Sequence, residues 1–343
     1  MYRNTVRKIL ASTCCAAALS CAGIAQGADY KFTYAGYPSP EISAGKAIIY
    51  FATEVEKRSN GRVKIEMHHR GSLYSESKAI EAMLTGAIDL AASATSAIGV
   101  FTRHYDWINL PFIADGDIKT GPRQLLKMLN SDVGKELQSK VEKETGLKPI
   151  FFMPSNGGAR AIATRTKRIV LPEDVANMKT RVSLAPLDMI INRQWGNNPM
   201  PVPWSDAMTG FSQGVFEAIQ IPINHIHNVG FDEVAEYVTM VNFQYVPMGL
   251  WTTTKTWNAL PEDIQNIMTE VGREAAEYEI KIDFEDHLAY REKLKQRNTE
   301  IIDLTPAQMA EWVKASEPVY QNDAVTKHTP PDILNRLRAA AAN

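Results

Sequence analysis

Between residues 30 and 92 strand and helix signals alternate, and the connections between strands are too long for hairpins. That order constrains the chain more than any other feature, because it calls for a mostly parallel sheet covered by helices. Residues 30–35 read as the first strand. Ser39-Pro40-Glu41 supplies a helix cap, a proline at the first helical position and a first-turn acid. Ala44, Ile48, Phe51, Ala52 and Val55 then share one face of a helix ending near Asn60-Gly61. Val63, Ile65 and Met67 alternate as a second strand. A short helix turns Ala79, Ile80, Met83 and Leu84 inward and stops at Gly86, and residues 88–92 form a third, apolar strand.

From about residue 150 to 241 the chain is denser in Pro, Gly and Asn. Short strands at 151–153, 160–164, 180–183 and 217–221, with helices between them, suffice for a second, smaller α/β layer. Ile264, Ile267, Met268, Val271, Ala275, Tyr278, Ile282, Leu288 and Leu294 then follow three- and four-residue steps. They predict a helix from about 261 to 298, roughly 50 Å long and able to brace both layers. The alanine-rich C-terminus is expected to fray. Residues 28–152 are thus expected to form domain I, continued by a later strand near 245–253, and residues 153–241 domain II. Residues 254–343 supply the bracing helix and C-terminal helices.

Arg3, Arg7 and Lys8 precede an apolar run from Ile9 to Ala25, and Ala25-Gln26-Gly27 offers small residues for cleavage. Residues 1–27 therefore read as a secretory signal peptide cut near Gly27 and Ala28, which places the exported chain in the periplasm. The run falls short of the ~20 residues a spanning helix wants, and Leu19 stands too close to Cys21 for a lipoprotein. All three cysteines (Cys14, Cys15, Cys21) lie in this segment, so the exported chain has no disulfide, thiolate metal site or cysteine nucleophile. Cleavage takes three basic and no acidic residues from a formal charge of −2. A mildly acidic chain without basic runs argues against nucleic acid as a partner, and an anion would have to be gripped locally.

Two enzyme signals are weak. Ser75-Glu76-Ser77-Lys78 fits the S-x-x-K of penicillin-recognising serine hydrolases and Lys119-Thr120-Gly121 their K-T-G, but Ser131-Asp132 falls after both instead of between them. Ser75 reads instead as a helix cap. His68 and His69 point to opposite faces of a strand, and His225-Ile226-His227 lies in a loop without a third ligand. Neither a metal nor a cofactor is expected.

The arginines are the stronger signal. Arg160 follows the flexible Ser155-Asn156-Gly157-Gly158-Ala159 turn, and Arg181 sits on a strand after the short helix of Leu171-Pro172-Glu173-Asp174-Val175. Two adjacent strands would bring both guanidinium groups to one edge, where the planar fork of arginine matches a carboxylate. From spacing alone, internal pairing with Glu173, Asp174 or Glu217 is the favoured alternative.

The chain resembles the DctP-type solute-binding proteins of TRAP (tripartite ATP-independent periplasmic) transporters across nearly all of residues 28–343. The resemblance is carried by residues 54–66, Gly71-Ser72-Leu73-Tyr74, residues 81–90, Leu110-Pro111-Phe112, residues 171–182, Pro201-Val202-Pro203-Trp204-Ser205-Asp206, Gln213-Gly214-Val215 and Trp257-Asn258-Ala259-Leu260-Pro261. It implies a two-domain periplasmic-binding-protein fold with a ligand cleft between the domains and a long helix bracing both. It also implies that Arg181 grips the carboxylate of a ligand from outside while Arg160 assists. The expected partners are an organic acid and, transiently, the subunits of a membrane permease, with the binding protein itself a monomer.

The chain departs from the family pattern at two positions. Ile221 stands where an asparagine often contacts the ligand, and Gln220 where an acid can help to hold a cation. Lost polar contacts and nearby aromatics (Trp195, Trp204, Phe243, Tyr245, Trp251) point to a monocarboxylate with an apolar or aromatic body. Asn156 joins the expected site. Tyr37, Glu41, Tyr74, Glu76, Ser93 and Thr95 hold positions that could face the cleft beyond the strand ends, with Tyr74 and Thr95 preferred. The rival readings are a binding protein for an ABC importer or sensor and a periplasmic serine hydrolase using Ser75 and Lys78.

Overall fold

A computed structural model describes residues 28–342 of the chain, so the signal-peptide expectation for residues 1–27 lies outside the described residues. Eleven strands are described: β1 (Tyr30–Gly36), β2 (Val63–His68), β3 (Leu90–Ala94), β4 (Leu147–Met153), β5 (Arg160–Thr164), β6 (Lys179–Val182), β7 (Asn198–Pro201), β8 (Ala218–Pro222), β9 (Tyr237–Thr239), β10 (Met248–Thr253) and β11 (Glu300–Ile302). They form a five-stranded sheet in the order β2-β1-β3-β10-β4 and a six-stranded sheet in the order β11-β9-β5-β8-β6-β7.

The helical crossovers make β1 parallel to both β2 and β3. β10 returns late in the chain and runs antiparallel between β3 and β4. The second sheet is likewise mixed: β5 is antiparallel to β8 and β9, whereas β6 is parallel to β7 and β8. The sheets are thus less uniformly parallel than the early β-α-β order suggests.

Two local expectations shift. The first helix is Ser43–Arg58, with Ile42 in extended conformation as its cap residue and no side-chain cap. Residues 40–42 form a turn instead, with the Ile42 N–H on the Ser39 carbonyl, and the helix packs close to it: a Cβ on Gly45 would sit 1.9 Å from the Ser39 carbonyl oxygen. The C-terminus does not fray by residue 330; Pro331–Ala342 is a helix that buries Ile333, Leu334 and Leu337 against the Gly121–Asn130 and Asp132–Thr145 helices.

The bracing helix runs from Glu262 to Gln296, 35 residues, or about 50 Å. Ile264, Met268, Val271 and Ala275 pack with Phe51, Phe151 and Leu250 on one face of the first sheet. Further along, Leu294 joins Phe211, Phe216, Ile219 and Val238 on the second. About a third of the way along, Arg58 grips Glu274 through both terminal nitrogens at 2.9 and 2.6 Å, and the Tyr50 hydroxyl donates to the same carboxylate at 2.8 Å. This helix spans both sheets.

Two segments join the sheets side by side: residues 154–159 between β4 and β5, and residues 240–247 between β9 and β10. The Arg160 N–H donates to the Gln244 carbonyl at 2.8 Å, and Asn156 Nδ2 to the Val246 carbonyl at 2.8 Å. The first segment needs left-handed backbone at Asn156, Gly157 and Gly158, which glycine adopts without steric cost.

Gly272 lets the bracing helix approach β4 closely. Helix propensity alone favours alanine there by about 1 kcal/mol, but the added Cβ would lie 2.9 Å from the Phe151 Cβ, and overpacking costs about 1–3 kcal/mol. Gly272→Ala is therefore expected to lower the urea midpoint of unfolding; a raised midpoint would mean that helix and strand separate at little cost.

Candidate functional site: a cleft between the two sheets

Arg181 sits in the middle of β6, paired on either side with Met200 of β7 and Ile219 of β8. Its side chain is 5% exposed. The Nε and Nη2 groups donate to the Val202 carbonyl at 3.0 and 2.8 Å, and the guanidinium lies 5.5 Å from the centroid of the Trp204 ring. A neutral carbonyl orients the fork without cancelling its charge. Among the described residues no carboxylate comes within ion-pair distance of it.

The internal partners considered from spacing are engaged elsewhere. Asp174 accepts from the N–H groups of Val170 and Leu171, Glu217 accepts from that of Lys179, and Glu173 is exposed. Burial, followed by the neighbouring Arg160 charge, pushes the Arg181 pKa down to about 10, while Asp188, Glu76 and Tyr37 act in the opposite direction. The group therefore remains a cation at neutral pH.

Arg160 is different. Its Nη1 donates to Asp188 Oδ2 at 3.0 Å and to Gln244 Oε1 at 2.7 Å. Asp188, on the Pro186–Gln194 helix and 1% exposed, also accepts from the Ser183 hydroxyl at 2.7 Å. Burial alone would raise the Asp188 pKa; the Arg160 charge and the hydrogen bonds from Ser183, Arg160 and Gln244 outweigh it and hold the pKa below the usual range. The two arginines are also not on adjacent strands: β8 lies between β5 and β6, so the expected edge pairing is corrected. They converge because β8 is only one strand wide.

Two adjoining cavities mark the cleft. An inner one of about 60 Å³ is lined by Arg160, Arg181, Asn156, Ile221 and His225, and an outer one of about 370 Å³ by Ser75, Val100, Leu184 and Met208. Tyr37, Glu76, Ser96, Arg181, Ser183 and Trp204 border both. Tyr37 and Glu76 come from the first-sheet side and Arg181 and Trp204 from the second. The outer volume falls in the range of small-molecule sites. A larger cavity of about 640 Å³ lies between the Gly121–Asn130 helix, β4 and the bracing helix, but none of the buried unpartnered polar atoms borders it, so the convergent chemistry is at the smaller pair.

Glu76, less favoured by the sequence than Tyr74 and Thr95, borders both cavities. Its carboxylate accepts from the Ser93 hydroxyl at 3.1 Å and the Ala94 N–H at 2.9 Å. Although part of its surface faces the cleft, burial raises its pKa against those bonds and against the Arg181 charge. Ser183, Asp188 and Gln244 went unnoticed, because a serine after a strand and an aspartate in a helix's first turn carry no signal of their own.

Of the residues expected at the site, Arg181, Arg160, Asn156, Ile221, Gln220 and Trp204 border these cavities. Gln220 spends both ends of its amide on Asn192, at 2.8 and 3.1 Å. Three expected residues are placed elsewhere. Thr95 is buried and donates to Asn109 Oδ1 at 2.9 Å; its neighbour Ser96 faces the cleft. Trp195 packs edge-on against Phe243 and Trp312 in the core and donates to Ser316 Oγ at 2.9 Å. Tyr74 packs partly buried against the core and borders neither cavity. Trp251 and Tyr245 are also core residues, whereas Glu41 pairs with Arg70 at the exposed rim.

The metal and hydrolase motifs do not assemble. His225 and His227 lie on the Ile223–Val229 helix, not in a loop, and no cluster of three metal-ligating side chains occurs among the described residues. Lys78 donates to Glu81 at 2.7 Å in the open and makes no hydrogen bond to Ser75. Ser75 occupies the cap position of the Glu76–Thr85 helix, though its hydroxyl makes no cap bond. No helix among the described residues is long and apolar enough to cross a membrane.

The sequence profile of the family described as "Bacterial extracellular solute-binding protein, family 7" (DctP) matches residues 34–326. The chain is 23% identical over 344 residues to the C4-dicarboxylate-binding periplasmic protein DctP of Rhodobacter capsulatus, covering 100% of this chain and 99% of that one. Its fold is similar to that of a TRAP periplasmic solute binding protein from Sulfurospirillum deleyianum with bound succinate, with a TM-score of 0.81, 26% identity and coverage of 91% and 99%. A protein of the same description from Ralstonia eutropha H16, with bound (S)-2-acetolactate, shares the fold at a TM-score of 0.80, with 22% identity and coverage of 91% and 98%. Matched over most of its length, the chain belongs to the DctP family, family 7 of the bacterial extracellular solute-binding proteins, and is of the TRAP type.

Proposed function

We propose that this protein captures a monocarboxylate with an apolar or aromatic body, clamps its carboxylate on Arg181, and delivers it to a TRAP membrane permease. The observation that carries this reading is the inventory of arginines at the cleft. Arg70 is paired with Glu41 and Arg160 with Asp188, while Arg181 alone has no carboxylate among the described residues. With Nε and one Nη2 hydrogen on the Val202 carbonyl, the Nη1–Nη2 edge of this one uncancelled guanidinium suits one carboxylate. A second carboxylate would find no uncommitted arginine and would have to break the buried Arg160–Asp188 pair.

The remaining walls favour an apolar body. Ile221 and Pro222 border the inner cavity; Val100, Leu184 and Met208 border the outer one. Trp204 lies between the two. Gln220, held by Asn192, offers the ligand little. The related structures carry both a dicarboxylate, succinate, and a monocarboxylate, (S)-2-acetolactate, so a carboxylate is their shared feature and the second charge is not.

Closure follows from the same electrostatics. With the cleft open, water solvates Arg181; closing on an acid expels that water and strengthens the charge-assisted bonds. Closing on nothing strands a cation in a drying site. A ligand can therefore shift the open–closed equilibrium by its differential affinity for the two states.

A thermal-shift screen of carboxylates tests the substrate class. Ligand at about 100 times its Kd adds about 2.7 kcal/mol, roughly 4 °C at this size. Apolar monocarboxylates are expected to stabilise the wild type more than succinate does, and Arg181→Ala to abolish the shift. A panel in which dicarboxylates stabilise best would overturn the monocarboxylate reading.

The two arginines should also separate in stability without ligand. Arg160→Ala leaves Asp188 buried and unpaired, a change that costs about 3–5 kcal/mol. Arg181→Ala leaves only the Val202 carbonyl without its partner and is expected to cost less, or even to stabilise by removing a buried charge. Urea unfolding of both variants checks the order, and equal losses would contradict the division of roles.

A further inference from the structure

Two acids on the bracing helix point at one backbone turn. Glu279 (0% exposed) and Asp283 (1% exposed) are four residues apart and so share a helix face. The Glu279 carboxylate accepts from the N–H groups of Ser155, at 3.2 Å, and of Asn156. Asp283 Oδ2 accepts from the N–H of Gly157 at 2.7 Å, and its Oδ1 from Asn224 Nδ2 at 3.0 Å. Three consecutive N–H groups of a segment joining the two sheets thus end on this pair. The same turn carries Asn156 to the inner cavity and leads into Arg160.

We propose that Glu279 and Asp283 are positioning residues that clasp the Ser155–Gly157 turn to the bracing helix and so set Asn156 and Arg160 at the cleft. This rests on the contacts within the chain and not on the identity of the ligand.

That Glu279 holds a proton follows from what surrounds the pair. Two adjacent buried carboxylates cannot both ionise without a compensating cation, and no lysine or arginine among the described residues contacts either one. The charged and titratable groups facing the cluster are His225 on the Ile223–Val229 helix, Arg160 on β5, Tyr245 on the 240–247 segment with Asp115 and Asp117 beyond it, and His287 and Tyr290 on the bracing helix itself. Arg160 is already committed to Asp188. Burial, then Arg160, pushes His225 down to about 4 despite the opposing pull of Asp283, so it stays neutral. Burial, then the Asp283 charge, raises Glu279 well above the ordinary carboxylate range against the N–H bonds it accepts.

The turn has few other polar ties. The Ser155 hydroxyl, Asn156 Oδ1, Asn224 Oδ1 and His225 Nε2 are all buried without a partner in the chain. The clasp thus takes three N–H groups of this crossing, beside the bonds from the Arg160 N–H to Gln244 and from Asn156 Nδ2 to Val246, and its proton count matters. A group with a raised folded pKa holds a proton that the unfolded chain releases above its ordinary pKa. Stability consequently falls as pH rises from that value towards the folded pKa.

The test compares the wild type with Glu279→Gln, an amide that mimics the neutral carboxyl at every pH. Melting temperature and hydrogen–deuterium exchange of the 153–160 peptide are read from mildly acid to mildly alkaline pH, without ligand. The wild type is expected to lose stability as pH rises and to exchange this peptide several-fold faster than intrinsic base catalysis alone accounts for. Glu279→Gln should show a flatter melting profile and no excess exchange. If Glu279→Gln does not fold, Asp283→Asn carries the same comparison. Profiles parallel to the wild type overturn the proposal. So does failure of both amides to fold, because a clasp that is half neutral should tolerate at least one of them.

Discussion

A single buried carboxylate, Asp188, satisfies one of the two arginines at the cleft and leaves the other charged and alone. The rest of the site is arranged around that asymmetry. Asp188 binds Arg160 and Ser183, Arg160 binds Gln244, and Gln244 belongs to one of the two segments that join the sheets. The network ties the second sheet to the connecting segments and uses up its own charge. Arg181, oriented only by the Val202 carbonyl and flanked by Trp204, keeps a charge for an outside partner. Desolvation is not enough to discharge it, since its pKa falls only to about 10.

The architecture explains why such a charge can be tolerated. The cleft lies between two sheets joined by two adjacent segments and spanned by one long helix, so opening the site to water can leave the separate apolar packing of each sheet in place. Each sheet has its own apolar packing, while the cluster containing Trp107, Trp195, Phe243 and Trp251 continues from one side to the other. Glu279 and Asp283 meet the chain where it crosses between sheets, the place where a small change in backbone angle would move the cleft walls most.

Much of this was legible in the sequence. The alternation of strand and helix in the first third, the C-terminal stop at Gly86 and the long apolar rhythm of the bracing helix follow from local periodicity, and the structure has all three. Arg181 stood out because a charged residue in a half-buried strand requires a partner. What the sequence hid depends on tertiary distance. Nothing local predicts that β8 inserts between the arginine-bearing strands, that Asp188 folds back onto Arg160 across 28 residues, or that Trp195 turns inward to Ser316. Thr95 and Ser96 differ by one position at the start of a short helix, and that step decided which of them meets the cleft. Aromatic content likewise could not separate Trp204, at the cavity, from Trp195 and Trp251, in the core.

The most direct test of the central claim is the structure of the protein bound to a carboxylate that stabilises it. The account predicts both carboxylate oxygens within hydrogen-bond distance of the Arg181 guanidinium, with Arg160 still on Asp188 and the ligand body against Ile221 and Trp204. A carboxylate seated on Arg160 with Asp188 displaced, or one that leaves Arg181 untouched, would contradict it.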